Sequence, residues 1–490
     1  MALSDIRQLR LAKHEKLKSA GVNPYPLCSK RTHLSADAKS DFDALAARGG
    51  EVILAGRLVA LREHGGSAFA HIQDGAGRFQ IYLKKDVLGE KSYQDFFDFY
   101  DIGDIVQVRG VLFKTKKGEK TLEVRDIQIL TKTLLPLPEK WHGLKDIEER
   151  FRKRYLDLLM NEDVRRIFET RSKIIRSTRE FLDKNGFLEV ETSILQPIPG
   201  GASARPFKTH LHALDMDLYL RVAPELDLKK LLVGGFEKVY EIGRSFRNEG
   251  MDWAHNPEFT SLEFYWAYTD YKTLMKFSED LFKHIFETIG VYPVFSHDGK
   301  EIDLAPPWPR LEFTAMFEEY LDIDYASVNR DALYKKAENL GIHIEPHLSK
   351  GQIADQIYKK VCRPKFQNPT FIIHHPAELA PLAKPLPDNP NYDARFQLII
   401  DGWEVVNAFS ELNDPILQRQ FFEDQEKQRK RGDEEAQRLD ETFLEALEYG
   451  LPPAAGFAFG VDRLTALLTN SHSLREVILF PTMRPKDLRK

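Results

Sequence analysis

The chain has 490 residues, 42% of them hydrophobic, which is enough for two or three domains with sizeable cores. A formal net charge of −5 excludes a protein that coats nucleic acid through bulk charge, so an RNA partner has to be met by a local basic surface. The only cysteines, Cys28 and Cys362, exclude a disulfide framework or a zinc knuckle, and no apolar run nears the ~18 residues of a membrane helix, so a cytoplasmic protein is expected.

Residues 1–50 read as a basic, helical N-terminal arm. Arg7, Arg10, Lys13, Lys16, Lys18, Lys30 and Arg31 face only Asp5 and Glu15 over the first 35 positions. Leu9, Leu11 and Leu17 form a partial apolar stripe before Gly21 and the sequence PYP end it. A solvated helix and an arm contacting RNA phosphates both fit. Between 51 and 135 come five short alternating segments, EVILAGRLVAL, SAFAHIQD, RFQIYLKK, DIVQVRGVLFKT and LEVRDIQIL, separated by glycines. That spacing predicts a five-stranded barrel of the OB type, whose strand face can stack unpaired bases. Residues 136–160, with Pro136, Pro138 and Gly143, read as a linker, and 161–490 as a second domain.

From Asp163 the period turns helical, placing Val164, Ile167, Phe168, Ile174, Ile175, Phe181 and Leu182 on one face until Asn185-Gly186 stops it. The strand FLEVE follows. Residues 236–268 read as strand, loop, strand. One face carries Glu241, Gly243, Ser245 and Arg247, then Phe259, Ser261, Glu263 and Tyr265; the other carries Tyr240, Ile242, Arg244 and Phe246, then Thr260, Leu262, Phe264 and Trp266. The second face is for packing, and the first looks like a substrate floor. Residues 290–375 read as an insertion of helices and loops with no chemistry assigned. Asp401-Gly402 marks a hairpin in 394–415. Asn407 and Glu411 share a parity that Glu404 does not, so a bulge is required if all three face one cavity. Residues 418–445 read as a solvated helix, and GFAFGVDRLTALL (456–468) as a glycine-spaced strand leading into a helix.

FRNEG, a short loop, HNPEFT and an acidic–aromatic strand resemble motif 2 of the class II aminoacyl-tRNA synthetases. The 163–193 segment is similar to motif 1, although Ser193 stands where the family has proline. Residues 456–484 are similar to motif 3, with Ala458 in place of the middle glycine. RLAKHEKLKSAGVNPYP, APEL and the C-terminal SHSLREVILFPTMRPK resemble the bacterial-type lysyl enzymes, so the resemblance covers nearly the whole chain. It implies an α+β protein, an OB-type barrel followed by a class II catalytic domain whose antiparallel sheet is flanked by helices. It further implies ATP-dependent activation of L-lysine to lysyl-adenylate, transfer to the 3′ end of tRNA(Lys), Mg²⁺ as cofactor, and a homodimer built on motif 1.

Carried over residue by residue, the resemblance places Arg247 and Arg463 on the phosphates as the catalytic cations. Glu249, His255 and Phe259 complete the ATP site. Gly201, Glu225, Glu263, Tyr265, Asn407 and Glu411 form the lysine site, with Glu411 and Tyr265 at the ε-ammonium. Phe69 and Gln80 read the anticodon. Two metal-binding carboxylates seven residues apart are implied; Glu404 fits the later one, but the earlier position is Gln397. Asp401 is the only close acid in sequence that could substitute, so weak protein-borne metal binding and a raised Mg²⁺ requirement are expected. An aspartyl or asparaginyl enzyme is disfavoured by Glu411 and by the lack of an arginine in AFSEL or EFYWAY. A lysine-ligating paralogue that modifies a protein lacks the barrel. A non-catalytic OB-fold RNA-binding or scaffold protein would not need Arg247, Glu249 and Arg463 together.

Overall fold

In the first strands of the chain, side chains alternate between a core and water, so one face of the sheet is apolar and lies inside a closed barrel. The computed structural model describes residues 2–138, 144, 146–346, 348–430 and 435–486, and it divides into two units, Met1–Lys145 and Asp146–Lys490. In the first unit β1 (Val52–His64), β2 (Ser67–Asp74), β3 (Gly77–Lys84), β4 (Ile105–Lys114) and β5 (Lys120–Thr131) close in the order β1-β2-β3-β5-β4. Ala68, Ala70, Ile72, Phe79, Ile81, Leu83, Val106, Val108, Leu122 and Val124 fill the interior. Phe69, Gln80 and Tyr82 therefore point outward. Where β1 crosses β2 the backbones come so close that a Cβ on Gly56 would lie 2.8 Å from the Gln73 carbonyl oxygen. The expected five-stranded barrel is present.

Helix α1 (Leu3–Ser19) precedes the barrel, with only Arg10 and Leu17 buried along it. Leu9, expected in an apolar stripe, is exposed. Arg10 donates to Thr133 Oγ1 at 2.6 Å and to the carbonyls of Leu135 and Ile102 at 3.0 and 2.9 Å. Those bonds pin the helix and remove this arginine from the cations available to phosphates.

The linker expected at 136–160 falls partly on 139–143 and 145, outside the described residues. Within the second unit, Ile147–Arg152 and Arg154–Met160 are instead short helices. The buried Arg154 pairs with Asp157 at 2.8 Å and donates to the carbonyls of Arg475 and Leu479.

The second unit is built on one eight-stranded sheet. Its strands are β6 (Leu188–Glu189), β7 (Lys238–Phe246), β8 (Glu258–Ala267), β9 (Arg310–Glu312), β10 (Thr370–Ile373), β11 (Arg395–Ile400), β12 (Trp403–Ser410) and β13 (Ala454–Gly460). They run in the order β9-β10-β11-β12-β13-β8-β7-β6. Interior neighbours are antiparallel, but each edge pair, β9–β10 and β7–β6, is parallel. The expected antiparallel sheet is thus mixed at its margins.

One sheet face packs on α2 (Glu162–Lys184) and α3 (Tyr271–Ile289), which share a core with Tyr240, Leu262, Phe264, Phe457 and Phe459. Helix α3 starts where the Asp270 carboxylate accepts from the Thr273 N–H at 2.8 Å, and ends at Gly290 with φ 82°. The solvated helix expected over 418–445 is two helices, Pro415–Lys430 and Glu441–Glu448, with Gln418, Phe422 and Gln425 buried. No described helix is long and apolar enough to cross a membrane.

Candidate active site

The opposite sheet face floors a cavity of about 530 Å³. Hairpin β7–β8 pairs residue for residue from Lys238–Trp266 to Phe246–Glu258, so period-two alternation delivers Phe259, Ser261, Glu263 and Tyr265 to one side. Arg247 follows at the strand end. The register of β11 on β12 shifts between Leu398 and Ile399, which pair with Val406 and Glu404 and leave Val405 as the extra residue. This is the bulge that strand parity demanded, and it lets both Glu404 and Asn407 line the cavity. Gly201, Glu225, Glu249, His255, Gln397 and Arg463 complete the expected residues in the wall. Gly201 has φ 90°, and a Cβ there would sit 2.9 Å from that of Glu225.

Glu411 is the exception. It is buried but does not line the cavity; it lies behind Gly456, where an added Cβ would collide with its Oε1 and with the Tyr265 ring. Its Oε2 forms an ion pair with Lys229, whose ammonium also contacts Glu225 Oε1 at 2.7 Å. Lys229 lies on α4 (Glu225–Val233), one turn after Glu225, and is fully buried. This cation was not legible in sequence, since a charge one turn from another on a helix is usually a solvated pair. Burial pushes the Glu263 carboxyl up to about 8, with Glu225 adding to the effect. The Glu225 and Glu411 carboxyls are raised by burial too, against the pull of Lys229. Tyr265 donates from its hydroxyl to Glu263 Oε2 at 3.3 Å. This end of the cavity is a desolvated acidic cluster with one resident cation, short of positive charge.

The other end is cationic. The Arg247 guanidinium lies 5.0 Å from the centre of the Phe259 ring, and its buried Nε has no hydrogen-bond partner among the described residues. Arg463 stands in the first turn of the helix Val461–Leu468 and donates to the Glu404 carbonyl at 3.3 Å. His255 at the exposed rim is held through Nδ1 by Asp252 at 2.9 Å. Arg395, not singled out in sequence, is buried in the wall and donates from Nε to Asn407 Oδ1 at 2.8 Å. Its shared parity with Gln397 is the signal that could have found it.

Residues 290–375, expected to carry no chemistry, reach the cavity. The helix Lys350–Ile357 and the π-helical turn Tyr358–Cys362 bring Gln352, Asp355 and Lys359 into its wall. Lys359 pairs with Asp355 at 2.6 Å. Arg363 Nη1 stands 3.6 Å from Glu404 Oε2. Burial would raise the Glu404 carboxyl, but Arg463, Lys359, Arg363 and Arg395 hold it below its usual range.

Mg²⁺ favours hard anionic oxygens in an octahedral set. Gln397 Oε1 is neutral and already accepts from the Tyr358 hydroxyl at 3.1 Å and from His375 Nε2 at 3.2 Å. Asp401, the expected substitute, sits at the hairpin tip and is engaged by His297 at 2.6 Å and Lys300 at 2.9 Å. Among the described residues no three His, Cys, Asp or Glu side chains group to hold a metal. The donor set does not fit a protein-held divalent ion.

On the barrel, Phe69 stands opposite Tyr82 and Gln80 opposite His71, so Phe69 and Gln80 are diagonal neighbours on the outer face. Gln80 Oε1 accepts from the Thr121 hydroxyl at 2.6 Å. The Phe69 and Tyr82 ring centres lie 4.7 Å apart, and those of Tyr82 and Phe113 5.9 Å apart. The two partner rings extend the pair into an aromatic strip that sequence reasoning missed, although the period of β3 puts Tyr82 on the same face as Gln80.

Comparison with known proteins agrees with this geometry. Residues 146–484 match the tRNA synthetases class II (D, K and N), and residues 52–130 match the OB-fold nucleic acid binding domain. The lysine–tRNA ligase of Moorella thermoacetica is 50% identical over 488 residues, covering 99% of each chain. That of Pelotomaculum thermopropionicum is 49% identical over 489 residues, covering 99% of this chain and 96% of the relative. That of Roseiflexus sp. is 47% identical over 489 residues, covering 99% of this chain and 100% of the relative. With such identity sustained across both units, the chain belongs to the class II tRNA synthetases and, among them, to the lysine–tRNA ligase family.

Proposed function

We propose that this chain activates L-lysine with ATP to lysyl-adenylate and transfers the lysyl group to the 3′ end of tRNA(Lys). The observation that carries the lysine reading is the cavity's polarity, a buried acidic cluster at one end and buried arginines at the other. A substrate with a cationic tail and an anionic head matches both ends. Aspartate would need a cation where Glu263, Glu411 and Tyr265 gather.

In activation a lysine carboxylate oxygen bonds to the α-phosphorus as the bond to the β-phosphate breaks, and pyrophosphate leaves. The attacking carboxylate is already ionised, so no general base is required, and two anions have to be brought together. Arg247 lies between them, its partnerless Nε and its guanidinium free to take the α-phosphate and the lysine carboxylate. Arg463 takes the far phosphates, Phe259 stacks the adenine, Glu249 accepts from its amino group, and His255 stays near the terminal phosphate. At the amino-acid end Glu225 takes the α-ammonium above Gly201, and Asn407, oriented by Arg395, takes the carboxylate. The ε-ammonium meets Glu263 and Tyr265, with Glu411 as counter-charge behind Gly456. ATP enters as its magnesium complex, the ion being part of the substrate. In the second step a terminal ribose hydroxyl of the tRNA bonds to the acyl carbon and AMP leaves.

Phe69 and Gln80 on the barrel stack and read an anticodon base, and Tyr82 widens the platform. The chain works in the cytoplasm as a homodimer through α2 and β6, next to which Leu188, Ile194 and Leu195 are exposed. Light scattering at micromolar concentration should give twice the chain mass. Pyrophosphate exchange run separately with lysine, aspartate and asparagine tests the main reading; exchange driven by lysine alone is expected, and exchange driven equally by aspartate or asparagine would overturn it.

A further inference from the structure

The nucleotide end of the cavity holds more cations than binding of the α-phosphate requires. Four of them, Arg463, Lys359, Arg363 and Arg395, act on the Glu404 carboxyl. The carboxylates paired with them among the described residues are Glu404 itself and Asp355, the partner of Lys359. These four cations outnumber the two carboxylates they pair with. A free divalent ion would enter against that field, whereas a triphosphate would enter with it. Gln397 adds no charge, and both of its bonds, from Tyr358 and His375, turn its oxygen to the protein. Tyr358, Lys359 and Arg363 come from one turn of the insertion, so the groups that occupy Gln397, face the cavity and neutralise Glu404 arrive together.

From this arrangement we infer that Lys359 takes over, as a fixed cation at the β- and γ-phosphates of ATP, the charge that a protein-held divalent ion would bring. Arg363, which does not line the cavity, neutralises Glu404 from behind and makes that carboxylate a positioning group for Arg463 and Lys359 instead of a metal ligand. The inference rests on the cavity being the ATP site proposed above. It requires only the magnesium that ATP itself carries, and it replaces the expectation of a raised Mg²⁺ requirement with independence from a second, protein-borne ion.

The test is nucleotide binding without metal. Calorimetry with β,γ-methylene ATP in EDTA should show binding to the wild-type chain. Lys359→Met, which keeps most of the side-chain stem, should weaken it about tenfold to a hundredfold, the range for losing a charged hydrogen bond. Lys359→Arg should retain most of the affinity. The dissociation constant for lysine, measured on the same samples, should stay constant and reports that each variant is folded. Mn²⁺ titration of the wild-type chain without nucleotide, followed by electron paramagnetic resonance, should show no sub-millimolar site. Unchanged metal-free affinity in Lys359→Met would overturn the inference, as would a tight Mn²⁺ site in the wild type. Lysine-dependent pyrophosphate exchange by the wild type separates the two readings, because it stands or falls with the proposed function and not with Lys359.

Discussion

The cavity and the barrel face present the same kinds of side chain in opposite surroundings. In and behind the cavity wall, carboxylates withdrawn from water are held by named cations, Glu411 by Lys229 and Glu404 by Arg363. On the barrel, an amide and three rings stand on a half-exposed strand face where water competes for every contact. The cavity should therefore behave as a coupled network with large, non-additive responses, and the barrel face as a set of small, separable ones.

The largest effect is expected from Glu411→Gln. It removes a buried charge and leaves Lys229 with Glu225 alone, a loss on the order of 2–5 kcal/mol for one partner of a desolvated pair. Lysine KM should rise steeply while the ATP dissociation constant holds; an unchanged lysine KM would remove Glu411 from the site. Next comes Phe69→Ala with Gln80→Ala. Stacking is worth roughly 1–3 kcal/mol per base, so tRNA charging should slow while lysine-dependent pyrophosphate exchange is spared. Parallel losses in both assays would mean that the barrel is not an independent reader.

The pH profile sharpens the contrast. Glu263 is raised to about 8 from an ordinary 4.5, so between those values the folded chain holds a proton that the unfolded chain has released. Stability should accordingly fall as pH rises through that window, and is lost most by pH 8. Binding of a cation needs the carboxylate, so lysine KM should fall as pH rises from 6 to 8, by at most about tenfold per unit. Glu263→Gln should flatten the profile; a profile unchanged in that variant would assign the titration elsewhere. The smallest effect is expected from Tyr82→Leu, which removes a ring contact worth about 0.5–1.5 kcal/mol and should slow charging only a few-fold. A loss as large as that of the Phe69 variant would make Tyr82 a primary stacking surface.

This contrast also explains what was legible in the sequence. Strand period carried the barrel, the β7–β8 floor and the bulge at Val405, because alternation is local and a parity conflict between Glu404 and Asn407 shows in the residues themselves. Family resemblance added the assignment of Arg247, Glu225 and Arg463, which the cavity brings together. What escaped depended on distant elements meeting. Lys229 becomes a buried cation only because Glu411, far along the chain, folds back over α4. Lys359 enters the wall only because the insertion wraps onto β11, and nothing in its own helix announces that. Arg10 likewise reads as one basic residue among several until Thr133 and Leu135 close on it.

The extra residue at Val405 acts as a phase change in β12. Before it, alternate positions deliver Glu404 to the cavity wall; after it, they deliver Asn407, the ladder partner of Gln397. The strand is thereby split into two independently addressable halves. A substitution at Glu404 can alter how the nucleotide's charge is balanced without shifting the register that places Asn407. Deleting Val405 would merge the halves into one frame and force the two ends of the cavity to change together.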